Sequence, residues 1–476
     1  MASNDSRRAA IRLYRKLHLD WIFNTSTFLG NALIALLLTL AFRELGHGAA
    51  INYVFFLTVL AIGLWTTEAI PPFAVGIFLV AMFLLGFGTD IIIADDAPVA
   101  LYVNTWTSNV IWLLLGGFFL AKGMEDVGLD RELFRFTLRR FGTKPDRLLF
   151  GLMLMTAFGS MIMSNTATTA MMISSVLPLV RLLGSRSPYT RALLVGIPAA
   201  ASVGGIGTII GSTPNAIAVG ALQERGISIT FLDWLVVGFP TAVFLVVLFW
   251  WYLVRRLSLK IMVLDLSQLD TPISVSDDPS HHRKRYAVWF TLLLTVGLWL
   301  TEPLHGIPVA GTSAVPMVLL TLMQVVDNKQ VRELPWDTLM LVAGGLALGI
   351  GLVDVGLAEL VMGQVNRLPV AVVGIAVLFS MVGVLLSNVM SNTAAASILV
   401  PLGVSLSAPF GLAVPVIVAI SCSCALLLPV STPSNAIAYA TGFIEQRSFR
   451  LGGVFFIVVG PLAAFVAVMI WVFLKG

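Results

Sequence analysis

Two copies of Ser-Asn-Thr interrupt an otherwise apolar chain, at Ser164-Asn165-Thr166 and Ser391-Asn392-Thr393, each followed by a run of small residues. Each is answered 40 to 48 residues later by a second polar break, Ser212-Thr213-Pro214-Asn215 and Ser431-Thr432-Pro433-Ser434-Asn435. Hydroxyls and amides of this kind bind ligands; they do not by themselves break bonds. If a Ser-Asn-Thr segment stops one half-helix and starts another, the starting end exposes unpaired N–H groups and a partial positive charge, which suit an anion. The stopping end exposes carbonyls, which together with Ser and Asn oxygens suit a small hard cation such as Na⁺. Pro214 and Pro433 fit the opening turn of such a half-helix, where a missing N–H does no harm. That leaves Ser212, Thr213, Ser431 and Thr432 as caps or ligands.

Elements able to hold such breaks must lie in lipid. Of the 476 residues, 58% are hydrophobic and 11% charged, and the mean hydropathy is +0.94; a soluble domain carries about 25% charged residues. Polar backbone breaks are costly in a bilayer unless they line a protein cavity. Two matched sets of them imply one site built from two related halves, the signature of a carrier. The net charge of +4 is no nucleic-acid footprint, because the basic residues cluster in short loops. The first 20 residues are basic without an apolar core, so no cleavable signal peptide is expected.

Apolar windows of roughly spanning length fall at 21–41, 53–70, 73–87, 110–124, 192–210 and 235–254, then at 287–300, 309–326, 339–353, 413–428 and 454–474. Shorter ones flank the Ser-Asn-Thr copies, at 148–162 and 166–183, and at 368–386 and 394–406. The halves echo one another. Gly63-Leu64-Trp65-Thr66-Thr67-Glu68 returns as Gly297-Leu298-Trp299-Leu300-Thr301-Glu302. Gly116-Gly117 before Val127-Gly128-Leu129 returns as Gly344-Gly345 before Val355-Gly356-Leu357, and the polar motifs follow in the same order. The offset between the Ser-Asn-Thr copies, about 227 residues, is too long for a solenoid and marks duplication of a whole half.

Lys and Arg concentrate in cytoplasmic loops. With Arg7, Arg8, Arg12, Arg15 and Lys16 inside, most of the 29 basic residues fall inside only if both Ser-Asn-Thr segments are re-entrant hairpins. Arg43, Arg225, Arg367 and Lys475 then fall outside with the acidic loop of Asp90, Asp95 and Asp96, and Lys122 sits at a helix end. The threading gives about eleven transmembrane helices, a leading helix and two five-span units, so the second unit is inverted. The segment after Val127-Gly128-Leu129 is basic (Arg131, Arg135, Arg139, Arg140), whereas its partner after Val355-Gly356-Leu357 has only Arg367, as inversion requires.

Other candidates carry less. No Asp, Glu, Lys, Arg or His stands in the middle of a span, where a proton-coupled carrier usually needs one. Glu68 and Glu302, beside Trp65 and Trp299, read as interface or packing features. His281 and His282 read as a solvated loop with Asp277, Asp278 and Arg283. Cys422 and Cys424 have too few companions for a metal site. Asp95-Asp96 lacks the second acidic motif of a diphosphate-processing enzyme, and no nucleophile–base pair is visible, so the chain does not read as an enzyme.

The run Ser160-Met161-Ile162-Met163-Ser164-Asn165-Thr166-Ala167-Thr168-Thr169, with Ser391-Asn392-Thr393 and the two Thr-Pro breaks, resembles the divalent anion/sodium symporter family. That family includes INDY-type dicarboxylate transporters and sodium-coupled carboxylate and sulfate carriers, and the resemblance covers nearly the whole chain after residue 50. It implies an inverted-repeat fold, a homodimer and an elevator motion of the hairpin-containing part past a fixed scaffold. It also implies one sodium site at Ser160, Ser164, Asn165 and the backbone of Gly211, and another at Ser387, Ser391, Asn392 and the backbone of Ser431. Substrate carboxylates would meet Asn165, Thr166, Ser212, Asn392, Thr393, Thr432 and Pro433. Ser387 and Ser431 depart from the Thr and Ala of the family pattern but keep the hydroxyl and the carbonyl. No Lys or Arg replaces a sodium ligand, which favours symport over sodium-independent exchange.

The expectation is therefore an all-α polytopic membrane protein with two inverted repeats, each holding a re-entrant helical hairpin and a broken helix. Residues 1–50 form a cytoplasmic N-terminus and leading helix, 51–256 the first repeat, 257–285 a cytoplasmic linker and 286–476 the second repeat. The expected function is sodium-coupled uptake of C4 dicarboxylates such as succinate, malate or fumarate across the cell (inner) membrane. A citrate or sulfate carrier, a dicarboxylate exchanger and, from another class, an anion channel are the alternatives.

Overall fold

The apolar windows fold as helices, many of them opened by a Pro, Ser or Thr and several closed by a glycine. The computed structural model describes residues 20–89, 99–129, 140–142, 144–259, 279–365, 372–406 and 410–475, among which there is no strand. Several charged residues used in the threading lie outside the described residues: Arg7, Arg8, Arg12, Arg15, Lys16, Asp90, Asp95, Asp96, Arg131, Arg135, Arg139, Lys260 and Arg367, as do Asp277 and Asp278.

A leading helix, α1 (Asp20–Arg43), has most of its surface free of protein contact and packs on α2 (Ala49–Thr67). The first repeat continues through α3 (Pro72–Phe87), α4 (Asn109–Asp126), the hairpin α5 (Pro145–Ser160) and α6 (Asn165–Leu183), the broken pair α7 (Pro188–Gly204) and α8 (Thr213–Gln223), and α9 (Phe231–Arg256). The second repeat runs in the same order. It comprises α10 (Pro279–Leu300), α11 (Ala314–Leu322), α12 (Trp336–Asp354), α13 (Leu357–Val365), the hairpin α14 (Val372–Val389) and α15 (Asn392–Val404), the broken pair α16 (Phe410–Cys422) and α17 (Pro433–Ala440), and α18 (Arg450–Lys475).

Among the described residues, eight helical stretches are long and apolar enough to cross a membrane, and shorter apolar helices such as Pro72–Phe87 and Asn392–Val404 accompany them. At 1.5 Å per residue, the 16-residue α5 and the 13-residue α15 reach about 24 and 20 Å, short of an about 30 Å hydrocarbon core. Their partner α6 differs from the sequence expectation, since its 19 residues are long enough to cross. It extends past its apolar face to the exposed Arg181. The window at 413–428 contracts to a helix ending at Cys422. His281 and His282 belong to the first turns of α10, with the His282 side chain exposed; helix begins at Pro279, so this pair is not in a loop.

The repeated glycines have a packing role. Each repeat's Gly-Gly helix crosses a helix of the other repeat, α12 against α3 and α4 against the α11 segment. A Cβ on Gly344 would overlap the Gly76 backbone, and one on Gly116 would stand 2.7 Å from the Ser313 carbonyl. Gly128 and Gly356 close their helices at φ +68° and +77°, a conformation that favours glycine. Trp65 and Trp299 are buried, donating to Pro72 O and Ser313 Oγ at 3.2 Å each. These contacts interlock the two repeats into a frame; the first hairpin packs on α7, which is almost entirely enclosed, and the second hairpin packs on α16.

Candidate functional site

Each hairpin turns at its Ser-Asn-Thr. Ser164 and Ser391 are N-caps, their Oγ atoms accepting from Ala167 N at 3.1 Å and Ala394 N at 3.2 Å, so α6 and α15 begin at Asn165 and Asn392. Five residues before each asparagine stands a fully buried serine. Ser160 Oγ donates to Asn165 Oδ1, and Ser387 Oγ donates to Asn392 Oδ1 at 2.8 Å. Sequence pairs these residues only by analogy; the turn brings them into contact.

In the first repeat the pair faces the break between α7 and α8. The Asn165 amide lies against Ser160 Oγ and the carbonyls of Ala201 and Gly211; with its nitrogen end toward them, Nδ2 donates to Ala201 O at 3.0 Å and Gly211 O at 3.2 Å. The hairpin asparagine thus meets backbone oxygens of the first break. The tightness of this contact depends on glycine, because a Cβ on Gly205 would lie 2.5 Å from Gly211 O and 2.6 Å from Asn165 Oδ1. In the second repeat Ser387 Oγ lies 3.0 Å from Cys422 O, the last carbonyl of α16 before the second break. Ser431 enters differently from its expected role. Its hydroxyl lies 3.2 Å from Asn388 Oδ1 and accepts from Leu428 N at 3.1 Å, so it ties the break to the hairpin through Asn388.

The expected anion-binding residues grade from open to enclosed. Thr166 and Pro433 are exposed, Asn165, Asn392 and Thr393 half-buried, and Ser212 and Thr432 buried. Pro214 and Pro433 do sit in the opening turns of α8 and α17. Thr432 caps α17, accepting from Asn435 N at 3.2 Å, whereas Ser212 makes no cap bond. The half-helices exchange partners: α8 packs on α15 and α16 of the second repeat, and α17 packs on α6 and α7 of the first. This exchange brings the breaks of the two repeats together.

Two asparagines of the breaks have a role that was not assigned from sequence. Asn215 Nδ2 donates to Gly205 O at 2.9 Å and Thr208 O at 2.8 Å. Asn435 Nδ2 donates to Leu428 O at 2.9 Å and, more weakly, to Leu426 O at 3.4 Å. Each amide clasps two carbonyls of the unwound backbone, adding to the weak contacts that Thr208 O and Leu428 O receive from Gly211 N at 3.4 Å and Ser431 N at 3.2 Å. The signal was present, as the repeated Asn closing each Thr-Pro motif. The carbonyls of Ala201 and Cys422 carried no such signal.

Among the described residues no cluster of three or more His, Cys, Asp or Glu is arranged to hold a metal. Any cation at the tips would therefore meet only neutral oxygens. A separate cavity of about 180 Å³ lies between α8, α12 and α15, bordered by Glu224, Arg225, Asp354 and apolar residues including Ile217, Leu346 and Pro401. None of the expected site residues lines it.

Comparison with known proteins now decides the family. The citrate transporter profile matches residues 25–420. The chain belongs to the citrate transporter family. It is 32% identical over 431 residues to a sodium-dependent dicarboxylate transporter of Staphylococcus saprophyticus, covering 82% of this chain and 80% of that protein. It is 29% identical over 436 residues to the Staphylococcus aureus protein of the same name, covering 84% and 82%. Solved structures of the same fold are the Alcanivorax borkumensis YdaH transporter, with TM-score 0.58, 14% identity and coverage of 85% and 98% of the two chains, and Neisseria gonorrhoeae MtrF, with TM-score 0.55, 13% identity and coverage of 87% and 97%. Membership makes this chain a membrane transporter and not an enzyme, in agreement with the resemblance carried by its paired motifs.

Proposed function

We propose that this transporter couples Na⁺ entry to uptake of a C4 dicarboxylate such as succinate, malate or fumarate. The observation that carries the reading is the pair of repeat-related oxygen clusters at the hairpin tips, Ser160–Asn165 with Ala201 O and Gly211 O, and Ser387–Asn392 with Cys422 O. A dianion entering a bilayer must be neutralised, and the tips carry no basic side chain. Two bound Na⁺ ions and the N-terminal ends of half-helices supply that charge. Ser164, Ser391 and the Ser431 backbone complete the cation shells in this reading. Asn165, Thr166, Ser212, Asn392, Thr393, Thr432 and Pro433 receive the carboxylates, and the relatives named as sodium-dependent dicarboxylate transporters support the choice of ion and substrate class.

In this reading the hairpins and broken helices move together as an elevator past the frame of interlocked glycine helices, in a homodimer of the cell (inner) membrane with its N-terminus cytoplasmic; the exchange of α8 and α17 between the repeats supports treating them as one moving part. The test is uptake of radiolabelled succinate by purified protein in proteoliposomes, with and without an inward Na⁺ gradient, against a panel of competing anions including citrate and sulfate. Concentrative uptake that collapses without the gradient is expected. Sodium-independent counterflow would make the protein an exchanger, and stronger competition by citrate than by succinate would move the substrate class to tricarboxylates.

A further inference from the structure

One hydrogen bond joins the two repeats at their breaks. Ser212 Oγ, at the start of α8, lies 3.0 Å from Ser423 Oγ, the residue immediately after α16. Ser423 is wholly buried and Ser212 nearly so, and among the described residues Ser423 is the hydrogen-bond partner of Ser212 Oγ. Ser423 Oγ also lies 3.4 Å from Ala419 O. With one hydrogen to give, Ser423 donates either to that long contact or to Ser212. In the first case it accepts the Ser212 proton; in the second it frees that proton for another acceptor.

The bond is one peptide away from both oxygen clusters. Gly211, whose carbonyl faces Asn165, precedes Ser212; Cys422, whose carbonyl lies 3.0 Å from Ser387 Oγ, precedes Ser423. The Gly211 backbone has little room, since a Cβ there would stand 2.6 Å from Gly205 O. A shift of that carbonyl onto an ion therefore moves Ser212 with it. We infer that Ser423 is a positioning residue: through Ser212 it couples the two cation sites, so that filling one cluster organises the other. This rests on the sodium reading given above. Ser202, in α7, and Thr432, before α17, form no such link. Ser202 Oγ is buried without a partner, and Thr432 Oγ1 is engaged at the N-terminus of its own helix.

The test titrates Na⁺ against the thermal stability of purified full-length protein, without substrate and with choline chloride holding ionic strength constant. Wild type is expected to respond to Na⁺ with a Hill coefficient above about 1.5. Ser423→Ala should bring it to about 1 and raise the half-saturating Na⁺ about fivefold, the share of one buried neutral hydrogen bond. Ser212→Ala reads the same bond from the other helix, so a folding failure in one variant leaves the other to decide. The double variant should be no worse than either single one, and Ser202→Ala should match wild type. An unchanged Hill coefficient in Ser423→Ala or Ser212→Ala, additive losses in the double variant, or a non-cooperative wild type would overturn the coupling. A wild type that answers choline and Na⁺ alike would instead refute the sodium reading itself.

Discussion

Replacing Asn215 by Ala should loosen the first break and with it the first cation cluster. The amide is fully buried and donates to Gly205 O at 2.9 Å and Thr208 O at 2.8 Å. Deleting it strands buried carbonyls, at about 1–3 kcal/mol for each acceptor left unpaired. Thr208 O keeps a weak contact from Gly211 N at 3.4 Å, so the loss is nearer the lower end, about 2 kcal/mol in all. Because Gly205 backs directly onto Gly211 O and Asn165 Oδ1, that energy is drawn from the closed geometry the ion needs. Two kcal/mol corresponds to about a 30-fold rise in half-saturating Na⁺, at about 1.4 kcal/mol per tenfold. Asn215→Asp should be at least as harmful although it is isosteric, because a carboxylate cannot donate to a carbonyl. The assay is the Na⁺ dependence of succinate uptake in proteoliposomes at matched protein density. A half-saturating Na⁺ within threefold of wild type in the Ala variant, or near-normal behaviour of the Asp variant, would refute the clasp.

Two further outcomes follow from the same contacts. Asn165→Ala and Asn392→Ala should each abolish uptake while leaving a monodisperse protein by size exclusion, since each removes the shared oxygen of a cluster and not a core contact; near-normal transport by both would remove the site from the hairpin tips. Gly344→Ala should lower thermal stability by about 1–3 kcal/mol, the usual cost of overpacking, because its Cβ would overlap the Gly76 backbone. A melting temperature equal to wild type would show that the α3–α12 crossing is looser than described.

Much of the architecture was legible in the sequence because it was written twice. The Gly-Gly pairs, the Val-Gly-Leu endings and the Ser-Asn-Thr hairpins all fold as matched elements in matched order. The Pro residues of the breaks stand in the opening turns where their chemistry puts them. Less was legible where length, and not pattern, decides. α6 fills its apolar window at 166–183 almost residue for residue, and at 19 residues it is long enough to cross, where the sequence expectation is a short arm. α16 stops at Cys422 although the sequence stays apolar for six more residues, because the second break needs unwound backbone there.

What the sequence by itself determined was the class of protein: neutral hydroxyls and amides at repeated helix breaks in an apolar chain read as a membrane carrier built from two related halves, and the family match makes it a transporter. Tertiary structure alone decided which backbone atoms join those hydroxyls and amides. The carbonyls of Ala201, Gly211 and Cys422 are identical in chemistry to every other peptide oxygen, so no residue code marks them. Gly211 O reaches Asn165 only because Gly205 leaves the first break room to approach the hairpin, and Cys422 O reaches Ser387 through the packing of α14 on α16. The same holds for the Ser212–Ser423 bond, between residues 211 positions apart. A pairing of that range is set by how two half-helices cross, and that crossing is a property of the packed fold.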